Sequence, residues 1–196
     1  MFIFEKLDKI YRGKNIPRFT RDDTLRFVEK HSSIKVRPNL TIADFWGRIN
    51  SYSLTCLEEG VFKLWTWGRI ACVGDSVHKM TPNIGAGGNA GIESAAALAN
   101  TVKWIVEKSN GQCPSTELVE EALQRYQKQR EVRAAKMVQS AGEVTRMQAG
   151  RSLYHRLAAR IVRLYPGDFI ADYLSGYFSG AAMLVRQMAI YPLAGN

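Results

Sequence analysis

Residues 68–100 read GRIACVGDSVHKMTPNIGAGGNAGIESAAALAN, and this stretch decides the fold. The apolar run 69–73 is short and is followed at once by Gly74-Asp75, which predicts a strand buried on both faces of a sheet. Ile92, Ala95, Ala96, Ala99, Val102 and Val106 recur at helical spacing, so a helix is expected from about Gly88 to Lys108. A strand, a loop and a helix that opens in glycines form a ligand-holding device. The helix start leaves N–H groups unpaired and carries a partial positive charge. Small residues let a ligand approach that backbone closely, and the result suits something anionic or electron-rich. Asp75, at the strand's carboxyl end, can accept hydrogen bonds from ligand hydroxyls, in the place where open α/β sheets bind ligands. Gly85-x-Gly87-x-x-Ala90 matches the letters of the dinucleotide fingerprint, but ten residues, Asp75 to Ile84, separate it from the strand. The fingerprint needs its first glycine directly after the strand, so this is not read as a first pyrophosphate-binding unit.

Outward from the loop, MFIFEKL alternates well enough for a short strand. FTRDDTLRFVEKH reads as a helix capped by Thr20, with Asp23 at the return position of a capping box and Leu25 and Val28 on one face. SYSLTCLEEGVFKLWTW reads as strand, turn at Glu58-Glu59-Gly60, strand, with Phe62, Trp65 and Trp67 as packing residues. Asn110-Gly111 and Pro114 end the glycine-led helix. Ser115 or Thr116 then caps a long helix with Glu117 in its first turn. Val119, Leu123, Tyr126, Ala134, Met137, Val138 and Ala141 form its apolar face, and Arg130 interrupts it. A basic helix spans about Ser152 to Leu164, before Pro166-Gly167, and the tail to Asn196 is apolar without a clear period.

No apolar run reaches the ~18 residues of a membrane-spanning helix; the nearest, Ile170 to Val185, contains Asp172. The start is no signal peptide, because its apolar part is short and acids follow. Cys56, Cys72 and Cys113 fit no metal or redox spacing and suggest reduced thiols in an intracellular, reducing compartment; no metal site is expected. The net charge of +9 is uneven. Residues 125–163 hold ten Lys or Arg against the two acids Glu131 and Glu143, while the rest holds seventeen bases and sixteen acids. A solvated helix face explains this excess, as does attraction to an anionic membrane surface or an acidic partner. Nucleic acid is not favoured, because aromatic residues do not interleave with the charges.

With these residues in view, residues 68–100 resemble the second flavin-binding motif of the FAD-dependent monooxygenases of the aromatic-hydroxylase type. Gly74-Asp75, Pro82, Gly85, Gly87, Gly88, Asn89 and Glu93 fall in that pattern's register. The flanks FEKLDKIYRGKNIPRFT and SYSLTCLEEGVFKLWTW are similar to the fungal branch that epoxidises prenylated or terpenoid intermediates, such as those of indole-diterpene and meroterpenoid routes. The resemblance covers residues 1–140 well and the tail weakly. It implies cofactor contacts at Asp75, on the ribityl chain, and at Pro82, Gly85, Ala86, Gly87, Gly88 and Asn89, along the isoalloxazine ring. The helix start would face the pyrimidine end of the flavin, where negative charge develops. It further implies NADPH as co-substrate and a hydrophobic, terpenoid substrate. The flavin carries the oxygen chemistry, so no catalytic side chain is assigned. His78 is read as structural, Glu93 as an acid of the helix start, and His31 and His155 as surface residues.

The family's opening βαβ unit with G-x-G-x-x-G, its middle Asp-Gly motif and an upstream arginine and tyrosine are not found in these residues. The expectation is therefore a C-terminal part of a flavoenzyme, or a degenerate copy of one, that binds FAD poorly by itself. Its fold class is α/β: the C-terminal part of a three-layer FAD/NAD(P)-binding fold, with part of the substrate-domain sheet and a C-terminal helical region. Residues 1–68 would belong to the substrate-binding sheet domain, 69–110 would supply the last strand, flavin loop and helix, and 111–196 the helical region. The function expected of the intact protein is NADPH-dependent epoxidation or hydroxylation. The alternative is a non-catalytic basic helical module on a membrane surface or a protein partner.

Overall fold

The computed structural model describes residues 2–162, 164, 176 and 181–183. The chain forms two compact units: Leu7–Leu57, and Met1–Lys6 together with Glu58–Asn196. The described residues are mostly helical, with three small two-stranded antiparallel sheets.

In the smaller unit, α1 (Arg21–His31) opens with the expected capping box. Thr20 Oγ1 accepts from the Asp23 N–H at 3.2 Å, and Asp23 Oδ2 accepts from the Thr20 N–H at 2.7 Å. The Thr20 donors hold the Asp23 carboxyl below the usual carboxylate range. The inner face of α1 is Thr24, Phe27 and Val28, whereas Leu25 is exposed. The short strands β1 (Lys35–Arg37) and β2 (Leu40–Thr41) pair, and α2 (Ile42–Trp46) repeats the capping box with Thr41 and Asp44.

The larger unit is built on two antiparallel helices, α3 (Gly87–Lys108) and α4 (Thr116–Gln148). Ser115 caps α4 by accepting from the Leu118 N–H at 3.3 Å. Three apolar clusters run along their seam. At the loop end are Met80, Ala86, Ala90, Met137, Val138 and Ala141. In the middle are Trp65, Val77, Ala97, Tyr126 and Ala134, and at the far end Ile105, Val119, Ala122 and Leu123. Alanine faces alanine across the seam, which lets the helices approach closely. All seven residues expected on the apolar face of α4 are buried. Mid-helix Gly142 has a reason: a Cβ there would overlap the Glu59 carboxylate and the Arg146 guanidinium, which pair at 2.6 Å. The last described helix, α5 (Leu153–Val162), packs against α4.

Several expectations are corrected. Residues 2–7 form no strand, because a strand exists only as a pairing and they are not paired in a sheet. Residues 51–59 are not strand either; Gly60, expected in a turn, begins β3 (Gly60–Val61), which pairs with β6 (His78–Lys79). The run 69–73 contributes only β5 (Ile70–Ala71), which is antiparallel to β4 (Thr66–Trp67) across a two-residue turn with Gly68 at φ +55°. It is not buried on both faces: Ala71, Cys72 and Val73 pack on the helices, but Ile70 is 62% exposed. Trp65 is a core residue, whereas Phe62 and Trp67 are exposed. The stripe Ile92, Ala95, Val102, Val106 of α3 is also exposed, Ile92 by 72%. The face toward α4 is instead Ala90, Glu93, Ser94, Ala97 and Ile105. Most of the apolar run from Ile170 to Val185, and Pro166-Gly167, lie outside the described residues.

Candidate functional site

The chain leaves β5 extended at Val73 and enters a single 3-10 turn, Gly74–Ser76, with Gly74 at φ +69°. Ser76 Oγ donates to the Val73 carbonyl at 2.8 Å, and the Val77 N–H to the Gly74 carbonyl at 3.0 Å. These bonds close the turn and leave Asp75 exposed upon it. The turn packs on α3, where a Cβ on Gly74 would lie 4.0 Å from the Gly91 Cα. Val77, His78, Met80 and Thr81 then run through the interior. A second 3-10 turn, Pro82–Ile84, starts with proline, whose fixed φ suits it, and ends at Gly85 in the left-handed region, φ +64°. Asn83 Nδ2 donates to Gln148 Oε1 at 2.5 Å and ties the loop to α4. Ala86 is buried, and α3 begins at Gly87.

The structure therefore brings the sequence-predicted residues to one place, the start of α3. Asp75, Pro82, Gly85, Gly88 and Asn89 are exposed, Gly87 is half-buried, and Ala86 is anchored beneath them. Built Cβ atoms at Gly85 and Gly88 would meet nothing within 4 Å, so open space lies over both.

The start of α3 differs from the other capped helices. α1 and α4 satisfy an N–H of their first turn with the Thr20 and Ser115 side chains, and in α2 the Asp44 carboxylate accepts from the Thr41 N–H and hydroxyl. α3 has Ala86 at its N-cap, no side-chain cap and no acid in its first turn. Free N–H groups, open space over two glycines and an exposed carboxylate are what an electron-rich, hydroxyl-bearing ligand such as a flavin requires. A second orphan, the buried Asn83 Oδ1, lacks a partner among the described residues.

A polar network beneath this loop was not foreseen from sequence. Glu93 is buried, not an acid of the helix start, and its Oε1 accepts from Arg130 Nη1, from Arg133 Nε at 2.6 Å and from the Ala182 N–H at 3.3 Å. Arg130, on α4, is 1% exposed and also donates from Nε to Ser94 Oγ at 3.3 Å. The same Ser94 oxygen lies 2.9 Å from Nε2 of His78. His78 is fully buried against the Trp65 ring. Burial holds it below the ordinary imidazole pKa, and the nearby Arg130 charge adds to this. His78 is thus a neutral structural group. The sequence signal for the network was Arg130 itself, a charge inside an apolar stripe. Glu93 and Asn89 also line a cavity of about 390 Å³ with Ile92, Met137, Ala181 and Ala182. Among the described residues no cluster of His, Cys, Asp or Glu could hold a metal ion.

The FAD binding domain family matches residues 10–141, which include the whole loop and every side chain of the network. The chain is 43% identical over 183 residues to a FAD-dependent monooxygenase of Penicillium polonicum, covering 93% of this chain and 23% of that protein. It is 37% identical over 186 residues to one of Talaromyces verruculosus, covering 93% and 39%. With one of Penicillium paxilli it shares 36% over 182 residues, covering 93% and 38%. The chain thus spans about a fifth to two fifths of the length of these relatives. No solved structure matches it. The match over residues 10–141 leads to one assignment: the chain belongs to the FAD binding domain family.

Proposed function

We propose that this chain supplies part of the flavin site of a FAD-dependent monooxygenase, acting on a hydrophobic, terpenoid substrate with NADPH as co-substrate. The observation that carries the reading is the family match over a loop whose helix start is uncapped and faces open space. The finer fold goes with it: a strand, flavin loop and helix from the C-terminal part of a three-layer FAD/NAD(P)-binding fold.

The chemistry the cofactor supplies when bound is reduction by NADPH and insertion of one atom of molecular oxygen into the substrate, by epoxidation or hydroxylation, with the other leaving as water. The chain's own residues bind and orient. Asp75 accepts hydrogen bonds from the ribityl hydroxyls. Gly85, Gly87, Gly88 and Asn89 offer backbone to the ring, since side chains at the glycines would fill the space it needs. The first N–H groups of α3 stabilise negative charge on the ring's pyrimidine end. Ala86 and Ala90, buried against Met137 and Ala141, hold the helix start in place.

The test is FAD titration of the full-length protein, read by flavin fluorescence. Asp75→Ala is expected to raise the dissociation constant by roughly tenfold to a hundredfold, the worth of a hydrogen bond to a charged group. The fold should be unchanged, because Asp75 is exposed. Unaltered FAD affinity in that variant overturns the assignment of Asp75.

A further inference from the structure

The ten bases of residues 125–163 do not act alike. On α4, Arg125 pairs with Glu121, Arg130 and Arg133 with Glu93, and Arg146 with Glu59 and Glu143. Much of the basic excess on α4 is therefore spent on acids of the same unit. α5 is different. Residues 144–164 contain no acid, and Arg151, Arg156 and Arg160 are exposed.

The rest of α5 is strongly amphipathic in an unusual sense, because its most apolar residues face outward. His155, Ala158, Ala159 and Val162 form its shielded side, where His155 Nε2 lies 3.4 Å from Glu143 Oε2. Leu153, Tyr154, Leu157 and Ile161 form the opposite arc, and Leu153 is 82% exposed, Leu157 59%. Leu164 just beyond is 84% exposed. At about 100° per residue these side chains share one arc, and Arg156 and Arg160 fall on its border.

We propose that α5 docks on an anionic lipid surface, with Leu153, Leu157 and Ile161 inserted at the headgroup–acyl boundary and Arg156 and Arg160 on the phosphates. An apolar arc bordered by cations is the pattern of a helix lying in the plane of a membrane interface. Arginine can lay its stem along apolar surface while its head stays at the headgroups. Tyr154 adds an amphipathic ring suited to the same depth. A second copy of the chain fits less well, since a symmetric contact would bring Arg156 and Arg160 of both copies together without an acid. An anionic bilayer supplies apolar depth and negative charge at one surface. This inference does not rest on the flavin reading.

Flotation of the full 196-residue chain with phosphatidylcholine vesicles, with and without phosphatidylserine, tests it. The chain is expected to float only with phosphatidylserine present and to be released by salt. Arg156→Gln with Arg160→Gln should weaken binding by about 25-fold, from roughly fivefold per charge. The double Lys variant should bind like the parent. Leu157→Asp should abolish flotation while circular dichroism stays unchanged, since Leu157 packs outward. Lys128→Gln with Lys136→Gln, exposed charges on α4, should change nothing. Absence of flotation, retention of binding in Leu157→Asp, or equal loss in the α4 variant overturns the proposal. So does a concentration-dependent dimer that Leu157→Asp disrupts, which would place a second copy on this face.

Discussion

Glu93 and Arg130 are a buried ion pair with unequal dependence on each other. Glu93 has three donors, so losing Arg130 leaves it Arg133 and the Ala182 N–H. Arg130 has Glu93 as its paired acid, and its Nη2 already lacks a partner among the described residues. Glu93→Gln strands a buried guanidinium and is expected to cost about 3–5 kcal/mol in urea unfolding. Arg130→Met should cost clearly less, because a long apolar chain replaces the stem and the orphan disappears. Equal losses would mean that the pair is not the element that matters. His78 gives a pH dependence with a definite sign. Its folded pKa lies below the value of about 6.5 that the unfolded chain shows. Below 6.5 the unfolded state takes up a proton that the folded state refuses, so stability is full above that pH and falls as pH drops through it. The midpoint of urea unfolding should decline as pH falls below about 6.5, and His78→Gln should flatten that part of the decline.

At the scale of elements, two glycines meet where the turn Gly74–Ser76 packs on α3, and they differ in what a methyl group would cost. Gly74 has φ +69°, whereas Gly91 is helical and meets Gly74 at ordinary van der Waals range. Gly74→Ala is expected to cost about 1–2 kcal/mol, the strain of a left-handed residue with a Cβ. Gly91→Ala should be neutral or stabilising by up to about 1 kcal/mol through helix propensity. Thermal melts of both variants check this, and a destabilised Gly91→Ala would show that the turn and α3 are packed too tightly for a methyl group. α3 also shows why periodicity alone misplaced a face. It carries two apolar stripes, and the one with the larger side chains, Ile92, Val102 and Val106, is exposed. The buried face holds Ala90, Glu93, Ser94, Ala97 and Ile105, and its small residues let α4 come close where they lie.

On the scale of the whole molecule, the two units differ in how much they bury. The unit Leu7–Leu57 has Thr24 and Ile42 as its buried residues among those described. The larger unit has the three clusters along α3 and α4. Burial of apolar surface sets local opening free energies, so hydrogen exchange should separate them. Amides of α1 and α2 are expected to exchange faster than those in the middle of α3 and α4, at protection lower by at least about tenfold. Equal protection throughout would mean that the two units open together.

The sequence by itself determined what depends on neighbours in the chain. The capping box of α1, the Ser115 cap, the glycine-led start of α3, the apolar face of α4 and the place of Asp75 before the loop were all legible there. Each follows from local backbone geometry or from one helix's own period. Tertiary structure decided what depends on a partner far along the chain. Strand pairing in 58–79 departed from its local pattern, because a strand needs a neighbour and β3 found His78 while β5 found Thr66. The pairing of Glu93 with Arg130 across 37 residues, and the exposed arc of α5, were decided in the same way. A periodic stripe says that a helix has an apolar face, but only packing says whether anything covers it.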